Sequence, residues 1–178
     1  MFNSDTYIAR RQYLKHNISE GLIVLLGNVD VPMNYADNTY HFRQDSTFLY
    51  FFGLDFQQLA GVIDTESGEE IIFGDDAGIE DIIWMGAQVS LKEKAAAVGI
   101  TRTDSYKKLQ SVIEKAIQSG RKIHFLPPYR AENKLLLSDL LGISPSKLKA
   151  YSSLELIKAI VNLRSVKEDQ EIAEIRKA

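Results

Sequence analysis

Leu22-Ile23-Val24-Leu25-Leu26 is an unbroken apolar run that stops on Gly27-Asn28. Strands covered on both faces lose the in-out alternation of half-exposed strands and become continuous Val/Ile/Leu stretches. The run therefore reads as a central strand, ended by a turn. At 178 residues, 45% hydrophobic and 25% charged, the chain is an ordinary globular sequence with room for one domain. It can bury roughly 70% of the surface its unfolded form exposes, without disulfides or a structural metal. It contains no Cys, which removes thiolate zinc sites, Cys nucleophiles and a disulfide-stapled scaffold and suits a reducing compartment.

Upstream of the run, Ser4 or Asp5 is placed to cap a helix in which Tyr7, Leu14 and Ile18 share a face and the stem of Arg11 fills the gap. That helix ends near Gly21. Downstream, residues 30–45 carry Pro, Asn and Asp in a pattern of turns, a connection long enough to be functional or disordered. Strand-like runs follow at 47–52, 59–64 and 70–73, the last two joined by the hairpin-type turn Thr65-Glu66-Ser67-Gly68. This predicts an antiparallel meander.

Beyond Phe73 helices alternate with one further strand. Ser90-x-x-Glu93 has capping-box spacing, and Gly99 is placed to stop the short helix it begins. Tyr106, Leu109, Ile113 and Ala116 mark a helix stopped by Gly120, which feeds a strand at 122–126 that Pro127-Pro128 terminates. Leu135, Leu136 and Leu140 mark another helix, and Leu154, Ile157, Ile160 and Val161 one more, with Gly142 and Pro145 between them. In the tail, Ser165-x-x-Glu168 again has capping-box spacing, and Ile172 and Ile175 begin an apolar stripe. Arg176-Lys177-Ala178 supplies no terminator. The expectation is a helix that continues, in a chain that is the N-terminal piece of a longer one; the alternative is a frayed terminal helix.

Little in the chain resembles a reactive centre. Net charge is -3 and the sequence pI ≈ 5.7, which argues against a generic nucleic-acid binder. The first residues lack the order of a secretory signal and no apolar run approaches the roughly 20 residues that span a bilayer, so no membrane is expected and a cytoplasmic location is. His16 near a helix end, His41 in the long loop and His124 in a strand are not neighbours in sequence, and the last reads as a hydrogen-bonded, half-buried residue. There is no G-x-S-x-G elbow and no phosphate loop. Asp75-Asp76 and Glu80-Asp81, flanking Gly78, could hold a hard cation but read as a solvated turn. Trp84, the single Trp, reads first as a core ring and second as an aromatic anchor for a partner or substrate.

The run Tyr40-His41-Phe42-Arg43-Gln44-Asp45-Ser46-Thr47-Phe48-Leu49-Tyr50-Phe51-Phe52-Gly53 sets Arg43 and Asp45 at the mouth of what reads as a buried strand. There they need partners, while Ser46 can cap or bond nearby backbone. The run resembles the Y/F-R-Q-D/N-S-x-F-x-Y-x-x-G signature of the N-terminal domain of aminopeptidase P, in the creatinase/prolidase group of Xaa-Pro peptidases. Ile83-Trp84-Met85-Gly86 resembles the family's I-W-x-G element. Leu163-Arg164-Ser165-Val166-Lys167 with Glu171-Ile172 resembles its L-R-x-x-K-x-x-x-E-I lead-in to a catalytic domain, and Arg10-Arg11 its paired arginines. Phe56-Gln57-Gln58-Leu59-Ala60 departs from the family's E-P-x-A segment.

The resemblance implies an α/β fold, a mixed, mostly six-stranded sheet flanked by helices in a ribonuclease H-like arrangement. Residues 1–163 would form the creatinase-type N-terminal domain and 164–178 the start of a linker helix. It implies no catalytic residue and no metal ligand here. Two metal ions, usually manganese, would lie in a following domain, held by two Asp, one His and two Glu. The partners implied are that catalytic domain, further copies of the chain, and proline-containing peptides in the full-length protein. The domain's role would be oligomerisation and gating, with Trp84 as a cleft-lining candidate and Arg43, Gln44, Asp45 and Ser46 as a structural signature. The chain alone is expected to be inactive and metal-free. Two other readings stay open: the same domain of an Xaa-Pro dipeptidase, and a peptidase-like binding module without activity.

Overall fold

The computed structural model describes residues 2–177, with Asp81 and Met85 described by backbone alone. In chain order the elements are α1 (Ser4–Asn17), β1 (Leu22–Leu26), α2 (Ser46–Phe52), β2 (Ala60–Asp64), β3 (Glu70–Phe73), α3 (Ile79–Met85), α4 (Leu91–Ala96), β4 (Arg102–Asp104), α5 (Lys108–Gln118), β5 (Ile123–His124), α6 (Ala131–Leu141), α7 (Leu148–Tyr151), α8 (Leu154–Ser165) and α9 (Asp169–Ile175). Among the described residues there is one sheet, of five strands, in the order β4-β3-β2-β1-β5. The β1-β2-β3 centre is antiparallel. Parallel pairs, β3 with β4 and β1 with β5, complete the edges.

All five β1 residues are buried, as a strand covered on both faces requires. Ile23 and Leu25 point into a core closed by α1, α2, α4 and α8. Leu22, Val24 and Leu26 point the other way, into a core closed by α5, α6 and α7. The sheet is thus the middle of three layers, and β5 covers only Ile123–His124, ending short of the 122–126 expected and before Pro127-Pro128.

The segment 47–52 is helix, not strand, while Arg102–Asp104 adds an edge strand, and the sheet has five strands rather than the six the resemblance implies. The Asp45 carboxylate accepts the N–H groups of Thr47 and Phe48, both at 2.9 Å, two of the donors a helix start leaves without partners. Gly53, at φ 64, closes the helix in the left-handed conformation. Phe48, Phe51 and Phe52 are fully buried while Leu49 is exposed, which is helical spacing. Burial of each ring is worth roughly 1.5–3 kcal/mol, enough to override the strand preference of aromatic residues.

Further boundaries differ from expectation. The cap of α1 is Asn3, whose Oδ1 accepts from the Asp5 N–H at 3.3 Å. Ser165 is the last residue of α8, and α9 starts after Glu168, whose N–H donates to the Glu171 carboxylate at 3.0 Å. The capping contact lies one turn later than the Ser165 spacing suggests. Ile172 is half-buried and Ile175 exposed, so the stripe begun there covers little.

Candidate functional site

The R-Q-D-S segment enters α2 with one buried member, Gln44. Its Oε1 accepts from the N–H groups of Asn28 at 2.7 Å and Asp45 at 2.9 Å; its Nε2 donates to the carbonyls of Leu54 at 3.2 Å and Phe56 at 2.8 Å. One amide thus ties the end of β1 to both flanks of α2. Arg43 is exposed and Asp45 half-buried. The expected buried charge pair at a strand mouth is therefore replaced by a neutral hub and a helix cap, and Ser46 is the first helical residue rather than the cap.

Trp84 is 86% exposed on α3, which overturns its reading as a core ring. Ile79 and Ile83 on the same helix are 80% and 73% exposed. The helix therefore presents large apolar side chains to solvent, a pattern that marks interaction surfaces. Asp75 and Asp76, ahead of it, bond to different partners. Asp75 Oδ1 accepts from Ser105 Oγ at 2.7 Å, and Asp76 Oδ1 accepts from the Leu91 N–H at 2.5 Å. Glu80 is exposed, and the Asp81 side chain lies outside the described residues.

The histidines do not meet either. His16 and His41 are exposed. His124 is fully rather than half buried, with Nδ1 2.9 Å from Ser153 Oγ, and burial lowers its pKa against the opposing pull of Glu155. Among the described residues no group of three or more His, Asp or Glu could hold a metal ion. The described side chains do not fit a two-metal centre. Among the described residues no helix is long and apolar enough to cross a membrane.

A cavity of about 770 Å³ opens where α1, α2, α4, α8 and α9 converge, walled by Phe2, Tyr50 and Phe56 and by the cationic Arg10, Lys94 and Arg164. Arg10 is 2% exposed. It donates from Nη1 to the Tyr50 carbonyl at 3.0 Å and from Nε to Glu168 at 3.1 Å, and its guanidinium lies 3.7 Å from the centre of the Tyr50 ring. Burial raises the Tyr50 pKa, with Arg10 opposing it. Sequence reasoning missed this cluster, although a signal was present. Arg10 and Arg11 stand three and four residues after Tyr7, on its helical face.

Residues 7–124 match the family model described as "Aminopeptidase P, N-terminal domain". The chain is similar to a probable Xaa-Pro aminopeptidase of Metarhizium acridum, 27% identical over 172 residues, covering 96% of this chain and 32% of that protein. One of Aspergillus terreus is 29% identical over 171 residues, covering 96% and 34%. A protein of Arabidopsis thaliana named intermediate cleaving peptidase 55, mitochondrial, is 25% identical over 174 residues, covering 95% and 35%. The chain spans about a third of the length of these relatives. Among solved structures, a variant of Escherichia coli aminopeptidase P superposes with a TM-score of 0.79 at 18% identity, over 99% of this chain and 42% of that one.

Proposed function

Since the chain belongs to the aminopeptidase P N-terminal domain family, we propose that it is the assembly and gating domain of a metal-dependent Xaa-Pro aminopeptidase. It sits beside a peptidase cleft, contributed by a following domain or by a neighbouring copy, in which residues preceding proline are removed. The two metal ions, manganese in this reading, belong to that following domain, and no step of their chemistry passes through the side chains described here. The names of the relatives favour an aminopeptidase over a dipeptidase.

One observation carries the proposal: α3 holds Trp84, Ile79 and Ile83 out in solvent. A lone domain gains nothing from that exposure, whereas a copy or cleft packed against it buries a large ring at a contact centre, where Trp is favoured. In the full-length protein, Trp84→Ala is expected to change turnover or peptide-length preference while leaving Tm within about 1–2 °C, since exposed substitutions cost at most about 0.5 kcal/mol. Ile79→Ser with Ile83→Ser is expected to lower the oligomeric mass in sedimentation. The 178-residue chain with added manganese is expected to hydrolyse no Xaa-Pro peptide. Parent-like kinetics for the Trp84 variant together with an unchanged mass would reject the reading.

A further inference from the structure

We propose that α9 is a detachable strap, fastened across the aromatic cavity by a polar latch centred on Arg10, and that releasing it opens the cavity without unfolding the domain. The inference needs neither a partner nor the peptidase reading.

No residue of α9 is buried. Its half-buried residues are Gln170, Glu171 and Ile172, and the fastening among them is polar. Arg10 Nε donates to Glu168 Oε1 at 3.1 Å, and Arg10 Nη2 stands 3.6 Å from Glu171 Oε1. Gln170 Nε2 donates to Thr6 Oγ1 at 2.6 Å and to Glu168 Oε2 at 2.7 Å. Glu171 also accepts the Glu168 N–H, so the carboxylate that faces Arg10 is part of the first turn of α9. Loss of the latch would loosen the start of the helix along with its seat.

The two sides of the latch differ in strength of attachment. Arg10 is locked into the domain by the Tyr50 carbonyl, the Tyr50 ring and near-complete burial. Glu168 and Glu171 retain side-chain exposures of 39% and 16%, so water and salt reach them. Elements that open locally are those with few buried apolar contacts and solvent-accessible hydrogen bonds, and α9 meets both conditions. Its Glu174 forms part of the cavity wall, and Arg10 and Arg164, from α1 and α8, stand in that wall beside it. When the strap lifts, the cavity loses the part of its wall that Glu174 supplies.

The test uses amide hydrogen exchange on the 178-residue chain, with thiol labelling as a second readout. The chain has no Cys, so Leu54→Cys, at a cavity-lining position that is only 2% exposed, supplies a unique probe. Glu168→Gln with Glu171→Gln is expected to speed exchange of the α9 amides at least tenfold and to raise the maleimide labelling rate at the probe, while β1 and β2 amides keep their protection. Raising NaCl from about 0.05 to 1 M, which shortens the screening length several-fold, should do the same to the parent and little to the variant. If the variant loosens the whole domain because Arg10 is left unpaired, Arg10→Met added to both Gln substitutions removes the stranded charge and is expected to restore β1 and β2 protection with α9 still released. Unchanged α9 exchange in the variants, α9 amides already at unstructured rates in the parent, or release with no gain in labelling would each overturn the proposal.

Discussion

Arg11 Nε donates to Glu70 Oε2 at 2.7 Å from a side chain that is wholly buried. The same guanidinium donates to the carbonyls of Phe51 and Val98, both at 2.9 Å, so one cation joins α1 to β3, the end of α2 and the end of α4. Burial lowers its pKa and Glu70 opposes that. A buried charge is destabilising alone and tolerable when every donor finds an acceptor. Arg11→Met is expected to cost about 3–5 kcal/mol in urea denaturation, because Glu70 and two carbonyls lose a donor in low dielectric. Arg11→Met with Glu70→Leu should cost less than the sum of the single changes. Strict additivity would show that the pair is not coupled.

Gln44 makes the next prediction sharp because all four of its bonds end on backbone. Gln44→Ala is expected to cost about 2–4 kcal/mol, at roughly 1 kcal/mol per lost hydrogen bond plus unsatisfied groups left behind. Gln44→Glu keeps the shape but turns a donor into an acceptor facing the Leu54 and Phe56 carbonyls. Its Tm deficit should therefore shrink on acidification, as protonation restores one donor. A deficit independent of pH would mean that water replaces the lost donor.

The α2 error shows which signals compete. Aromatic residues at 47–52 favour a strand by propensity, yet Phe48, Phe51 and Phe52 stand at i, i+3 and i+4 between an Asp N-cap and a Gly terminator. Local capping outweighs propensity here because the buried face follows the helical period. β4 was illegible for a different reason: Arg102-Thr103-Asp104 is polar and becomes a strand only through its parallel pairing with β3, a contact between segments far apart in sequence. The burial of Arg10 was hidden by residue type, since charge argues for exposure while its helical phase places it inward; the Arg11 stem was legible on the Tyr7-Leu14-Ile18 face, and only the complete burial of its guanidinium was not. For Trp84 the reverse held: its size argued for burial, and the exposure of Ile79 and Ile83 beside it is a property of the folded surface. The β1 run and the Ser90 capping box were legible because each is a local pattern with a single physical solution; the box is present with both of its bonds.

Acid stability should depend on Asp64. Partial burial raises its pKa, but hydrogen bonds from Arg121 and from the Ser67 and Glu66 N–H groups outweigh that and hold it at about 2. A carboxyl with a lowered folded-state pKa favours the folded state above its ordinary value of 3.8, and that contribution is lost as pH falls toward about 2. Asp64→Asn is therefore expected to lower stability at pH 7 and to flatten the decline across that acid window. Glu155, held at about 2 chiefly by Lys122, acts in the same direction, so adding Glu155→Gln should flatten the curve further. A parent-like acid slope in the double variant would remove both groups from the account.

Gly61 and Phe52 supply the last prediction. A Cβ on Gly61, in β2, would lie 2.2 Å from two carbons of the Phe52 ring, so the ring fills the space a side chain there would need. Gly61→Ala must push that ring, and Phe52 is fully buried with Arg11 5.8 Å from its centre. The displaced ring would press on the guanidinium that joins α1, α2, α4 and β3. Overpacking of this kind costs roughly 1–3 kcal/mol, and the strained Arg11 contacts place Gly61→Ala at the upper end, about 3 kcal/mol. Phe52→Leu alone leaves a cavity and should cost about 1–2 kcal/mol. Because the added methyl fills the space the ring vacates, the double variant is expected to be more stable than the sum of the two losses allows, by about 1 kcal/mol or more in a urea double-mutant cycle. If the losses add, the ring is free to move aside, and the close approach of Phe52 to Gly61 does not position α2.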